Sequence, residues 1–146
     1  EEYLDSEKYE VKPYEKRRPG DIVEDVTLLN RLRRAHPALQ THLNTRFYAA
    51  HNENIIWYGK PSPTSSAGGT LTEMIMVMVN MDPHHSQECA FELPLWEFGL
   101  HDQASIAVED LAAGHRFDWH GKMQHIRLDP SQPYRIWRLS LPGEGA

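Results

Sequence analysis

The sequence predicts a mostly β chain, an antiparallel sandwich preceded by a single helix. Three observations predict it. From about Thr41 onward, short runs rich in β-branched, aromatic and aliphatic residues alternate with turn-rich segments. Strands this short and evenly spaced favour an antiparallel sandwich over a parallel sheet, which would need long crossovers. Before Thr41, only one stretch carries helical periodicity. With 146 residues, 40% of them hydrophobic and 25% charged, the chain is long enough for one ordinary core.

The first 20 residues are polar and irregular, ending in Arg17-Arg18-Pro19-Gly20. A helix is expected next. Asp21 can cap it, Glu24 stands at the capping-box spacing, and Ile22, Val26, Leu29 and Leu32 recur on one face, opposite Arg31 and Arg34. Pro37 stops it, because the residue before a proline avoids helical geometry. The stripe calls for a larger body to pack on, and part of Ile22/Val26/Leu29 is expected to stay exposed or to be covered by a neighbouring molecule or the sandwich.

Eight strands are expected, at 46–50, 55–59, 71–81, 89–95, 104–109, 115–119, 123–128 and 134–141. Turns fall at His51–Asn54, Asp82-Pro83, Ala113-Gly114, His120-Gly121 and Asp129-Pro130. Pro61 to Gly69 is the longest loop. Met74–Val79 is apolar throughout, as expected of a central strand covered on both faces. In the last strand Trp137, Leu139 and Leu141 share one face, and Arg138 and Ser140 the other.

Composition excludes several classes. A formal charge of −6, from 15 basic and 21 acidic residues, lacks the electrostatic footprint of a nucleic-acid binder and suits an anionic membrane no better. No apolar run approaches the ~18 residues of a membrane span. Cys89 is the only cysteine, so no disulfide forms within the chain, and a reducing cytoplasm is the expected location. Residues 1–12 are too polar for a signal peptide. With no initiator Met, the chain reads as a piece of something longer.

Candidates for chemistry are few. None of the nine histidines (36, 42, 51, 84, 85, 101, 115, 120 and 125) pairs at a metal-ligand spacing on the expected helix, and His84-His85 sits in a turn. No metal or cofactor is therefore expected. Cys89 opens a buried strand and reads as a small core residue. No nucleophile elbow or P-loop is present. Asp110, Asp118 and Asp129 stand at strand ends or turns, where Asp commonly caps. Trp57, Trp96, Trp119 and Trp137 could form a sugar-stacking platform; core packing is the plainer reading for Trp119 and Trp137, whereas Trp96 lies in a loop.

Longer strings add a resemblance. Glu7-Lys8-Tyr9-Glu10, Asn30-Arg31-Leu32-Arg33-Arg34 and Pro37-Ala38-Leu39-Gln40 resemble the end of the catalytic barrel in the alpha-amylase family of glycoside hydrolases. More narrowly, they resemble the alpha-1,4-glucan:maltose-1-phosphate maltosyltransferases. Val77 to His85, containing Val-Asn-Met-Asp-Pro-His, continues the likeness. So do Val108-Glu109-Asp110-Leu111 with Gly114, Trp119 and Gly121, and then Leu128-Asp129-Pro130. Residues 13–18 depart from the family's more aromatic linker.

The resemblance implies that residues 1–40 are the tail of a (β/α)8 barrel, its leader loop and last helix, and that 41–146 are the C-terminal sandwich. It implies that the catalytic Asp nucleophile, Glu acid/base and stabilising Asp lie on earlier strands, outside this chain. The intact enzyme would extend alpha-1,4-glucan from maltose-1-phosphate, releasing phosphate, with Lys8 and Tyr9 lining the donor-sugar pocket. The partner implied is the catalytic barrel of the same polypeptide; a homodimer through the bare helix stripe is a second arrangement. A hydrolytic alpha-amylase relative and an independent carbohydrate-binding module remain as alternatives.

Overall fold

The computed structural model describes residues 17–63 and 69–143. Helix α1 (Val23–Ala35) is followed by a 3-10 turn at Pro37–Leu39. Then come β1 (Arg46–Tyr48), β2 (Ile55–Pro61), β3 (Glu73–Asn80), β4 (Gln87–Glu92), β5 (Ser105–Asp110), β6 (Arg116–His120), β7 (Met123–Leu128) and β8 (Tyr134–Ser140). Each expected strand is present. β7 has the expected limits, and the others shift by one to three residues at an end. Lys8, Tyr9 and most of the Pro61–Gly69 loop lie outside the described residues.

Six strands form one antiparallel sheet in the order β1-β2-β3-β8-β5-β6, and β4 pairs with β7 in a second. The sheets are joined at both sides. Ala50, just beyond β1, bridges to Phe91 of β4, and β6 runs into β7 across Gly121-Lys122. Gly121 has φ +74° there, a left-handed conformation that glycine adopts without a Cβ penalty. Between the sheets lies the main core: Met74, Met76 and Met78 of β3, Trp57 of β2, Phe91 of β4, and Trp137 and Leu139 of β8. All of these are at most 3% exposed.

The alternation of β3 sends Ile75 and Val77 to the opposite face, where Ile136 joins them. Leu32 of α1 and Ala38 of the 3-10 turn cover this second cluster, with Leu28 and Leu39 packed beside it. β3 is thus apolar at nearly every position because it is covered twice. The helix uses only one edge of its stripe. Leu32 is buried, while Ile22, Val23, Val26 and Leu29 stay 67%, 39%, 45% and 46% exposed. The helix N-cap is Ile22, not the expected Asp21, which stands one residue earlier with Oδ1 accepting from Val23 N–H at 3.0 Å. Glu24 makes no capping-box contact and instead faces Arg17 at 3.6 Å.

The other half of that outer face is polar. Glu73, Arg138, Glu109 and Arg116 form a ladder of alternating charge across β3, β8, β5 and β6, with N···O distances of 3.8, 2.7 and 3.4 Å. Opposite charges on neighbouring strands support the register, and the face needs no further cover.

Candidate functional site

The strings of the β region that carry the resemblance become strand ends and turns of the sandwich, where Asn80, Asp82, Asp110 and Asp129 are hydrogen-bonded. Asn80, 5% exposed, ends β3. Its Nδ2 donates to the carbonyls of His85 (3.0 Å) and Leu128 (3.1 Å), and its Oδ1 accepts from Asp82 N–H at 2.8 Å. Asp82 Oδ1 then accepts from the N–H groups of His84 and His85, and Oδ2 accepts from Gln87 Nε2 at 2.9 Å and faces His85 Nδ1 at 3.1 Å. These donors, the His84 N–H first, hold the Asp82 carboxyl at about 2, below its ordinary value of 3.8. A carboxylate so fully hydrogen-bonded in its ionised form is a poor proton donor or base near neutrality.

The remaining acidic candidates behave alike. Asp110 Oδ1 accepts from Ala112 and Ala113 N–H in the β5–β6 turn, which Gly114 closes with φ +78°. Asp129 accepts from the Ser86 hydroxyl, then from Arg127 Nε at 3.1 Å, and both lower its pKa. Asp118 is the exception to the sequence expectation. It stands inside β6, exposed on the outer face, where it caps nothing.

Among the described residues no group of three or more His, Cys, Asp or Glu is arranged to hold a metal. The rings of His84 and His85 lie 6.4 Å apart at 79°, so the pair diverges. Cys89 is 3% exposed and burial raises its pKa, which keeps the thiol protonated and unreactive. No described helix is long and apolar enough to cross a membrane.

Trp57 and Trp137 lie in the core, 2% and 3% exposed, and Trp119 packs edge-on against Trp137 at 4.9 Å. Trp96 differs, being 57% exposed on a 3-10 turn at Leu95–Phe98. A polar cleft of about 470 Å³ opens between α1 and the start of β8, with Asp25, Asp110, His115, Gln132, Tyr134 and Arg135 along it. There the Tyr134 hydroxyl donates to Asp25 Oδ1 at 2.6 Å. Burial, and then this carboxylate, push the Tyr134 pKa up to about 12.

Sequence reasoning missed this link, and two others. Glu97 accepts from Tyr48 Oη at 3.1 Å and from Arg46 at 2.5 Å. Buried Lys60 donates to the Thr41 carbonyl at 2.6 Å and to Thr45 Oγ1 at 3.0 Å, and burial lowers its pKa. The Asp25, Arg46 and Tyr48 partners are 109, 51 and 49 positions away. No local signal in the sequence marks pairs so distant.

Comparison with known proteins agrees with this geometry. The family model described as "GLGE, C-terminal" matches residues 47–139, from β1 to β8. The chain is 46% identical over 144 residues to an alpha-1,4-glucan:maltose-1-phosphate maltosyltransferase of Cereibacter sphaeroides, and 50% identical over 140 residues to one of Pseudomonas aeruginosa. Those alignments take in 98% and 95% of this chain but 21% and 20% of the relatives, so the chain spans about a fifth of their length. In fold it is similar to an Anoxybacillus alpha-amylase, with TM-score 0.53 at 17% identity over 81% of this chain and 22% of that one. With a TM-score of 0.50 and 13% identity, it is also similar to a Bacillus halodurans chain titled a putative alpha-N-acetylgalactosaminidase, over 70% of this chain and 21% of that one. Sequence and fold together place the chain in the GLGE C-terminal family, as the closing β-sandwich of its maltosyltransferase relatives.

Proposed function

We propose that this chain is the C-terminal part of a longer polypeptide that extends alpha-1,4-glucan with maltosyl units from maltose-1-phosphate, and that its own role is structural. The observation that carries the reading is the 46% and 50% identity to two maltosyltransferases over nearly the whole chain. Retaining glycosyl transfer needs a nucleophilic carboxylate about 5 Å from a carboxylic acid. Of the candidate carboxylates, Asp110 and Asp129 are engaged in turns, as is Asp82, and Asp118 stands exposed inside β6, which supports a reaction centre in the catalytic barrel.

Residues 1–40 form the tail of that barrel and 41–146 the sandwich; a family match that starts at Phe47 supports a division in this region. The exposed Ile22, Val23, Val26 and Leu29 then seat against the barrel. A homodimer through the same stripe is the competing occupant, and a concentration-dependent dimer of the longer polypeptide lost in Val26→Asp would favour it. The cytoplasm fits a lone reduced thiol.

Lys8 offers three donors to sugar hydroxyls, and Tyr9 offers a ring face and a hydroxyl. Both line the donor-sugar pocket. Lys8→Ala in the longer polypeptide is expected to weaken use of maltose-1-phosphate by roughly 1–3 kcal/mol, the scale of a lost charged hydrogen bond. Unchanged donor kinetics would remove Lys8 from the pocket. The function itself is tested on the products. A maltosyltransferase lengthens an acceptor two glucoses at a time, while a hydrolytic amylase shortens it and needs no phosphorylated donor.

A further inference from the structure

Residues 40–45 join α1 and its 3-10 turn to β1, and polar bonds fix their course. Leu43, their one large apolar side chain, is 85% exposed. Two side chains tie the segment to β2 instead. Lys60 of β2, 8% exposed, donates from Nζ to the Thr41 carbonyl at 2.6 Å and to Thr45 Oγ1 at 3.0 Å. Asn44 Nδ2 donates to the Pro61 carbonyl at 2.7 Å and to the Ala38 carbonyl at 3.0 Å. On the helix side, Gln40 Nε2 donates to the carbonyls of Arg33 and Arg34 at the end of α1, 3.1 and 3.3 Å away.

These bonds come at a cost to stability. Lys60 is a buried amine whose two acceptors are both neutral, with no carboxylate paired to it among the described residues. Asn44 Oδ1 is buried there with no hydrogen-bond partner. An apolar side chain of similar volume is often as stable as a buried charge, or more so. What the Lys60 ammonium adds is therefore direction: its hydrogen bonds admit one course of residues 41–45. The other end of α1 is fastened by the Tyr134–Asp25 bond, with Leu28 and Leu32 packed on the sheet between the two. A helix held at both ends does not swivel on the sheet beneath it.

We propose that Lys60 and Asn44 form a lock that fixes the angle of α1 against the sandwich, so that in the longer polypeptide barrel and sandwich move as one body. The inference rests on the function proposed above only in assigning α1 to the barrel. A hinge at such a joint needs a few backbone residues free to change φ and ψ. Here the carbonyls of Ala38 and Thr41 and the hydroxyl of Thr45 are all engaged by the lock.

The test is amide exchange in the 146-residue chain and calorimetry of the longer polypeptide. Lys60→Met removes the ammonium and keeps an unbranched side chain in its place. Exchange over residues 33–45 is expected to quicken tenfold or more, while β3 and β8 keep their protection. Asn44→Ala, which breaks the lock from the segment's side, gives the same local release. The longer polypeptide unfolds in one calorimetric transition, and either variant splits it into two. Unchanged exchange in both variants overturns the lock. So does exchange that quickens equally over β3 and β8, the mark of side chains that only stabilise the sandwich. A parent that already unfolds in two steps, or variants whose transition stays single, overturns the coupling of barrel to sandwich. None of these readouts needs turnover. Maltosyl transfer without the lock sinks this inference alone, and a lock without maltosyl transfer sinks the proposed function alone.

Discussion

Asn80 closes the central strand with three hydrogen bonds, two of them to carbonyls of other segments, His85 and Leu128. Removing it leaves buried acceptors unmet, so Asn80→Ala is expected to cost about 2–3 kcal/mol. A lower urea midpoint with an unchanged m-value is the signature. Asp82 adds a pH dependence of known sign. Its folded pKa of about 2 lies below the unfolded value, so its contribution is complete above pH ~4 and is lost as pH falls through 2. Asp82→Asn should flatten the acid limb of the stability curve between those limits, and an unaltered limb would contradict this assignment. Gly59 has a different constraint: an added Cβ would overlap Met74 Sδ in the filled core, so Gly59→Ala is expected to destabilise by about 1–3 kcal/mol. Of these, only the Asn-x-Asp-Pro turn was legible beforehand. The overlap at Gly59 arises between β2 and β3 and leaves no trace in the neighbouring sequence.

The elements were more legible than their partners. Alternation of apolar and polar residues is a local property, and it located the eight strands and the helix. Pairing is not local: β3 lies beside β8 and β5 beside β8, while β4 leaves the main sheet for β7. Nor does a stripe say which of its edges will be covered. On α1 it is Leu28 and Leu32, because the second cluster offers Ile75, Val77 and Ile136 to that edge. The Tyr134–Asp25 bond pins the first turns of the helix to β8. Tyr134→Phe should remove roughly 1 kcal/mol of local stability, read as faster amide exchange over residues 23–30 with β3 and β8 unchanged. The intact bond carries its own pH dependence. With a folded pKa of about 12, raised above 10, it stabilises fully below pH ~10 and is lost as pH rises through 12.

At the scale of the molecule, the two sheets joined at both sides contain the main core, and α1 with its 3-10 turn forms a cover on one face. A chain of residues 41–146 is expected to keep its strands but to lose the cover from Leu32 and Ala38. The loss is about 2–4 kcal/mol, with self-association through Ile75, Val77 and Ile136. Thermal unfolding at several concentrations checks this, and an unchanged Tm would mean the cover adds nothing. Lys8 and Tyr9 enter through resemblance alone, and both lie outside the described residues. Trp96, set apart in the sequence as the tryptophan of a loop, does stand 57% exposed. The most direct measurement is phosphate release from maltose-1-phosphate, with an alpha-1,4-glucan acceptor, by the 146-residue chain and by the longer polypeptide containing it. Release is expected from the longer polypeptide and none above a blank from the chain alone. Turnover by the isolated chain, or its absence from the longer polypeptide, would contradict a non-catalytic sandwich closing a maltosyltransferase.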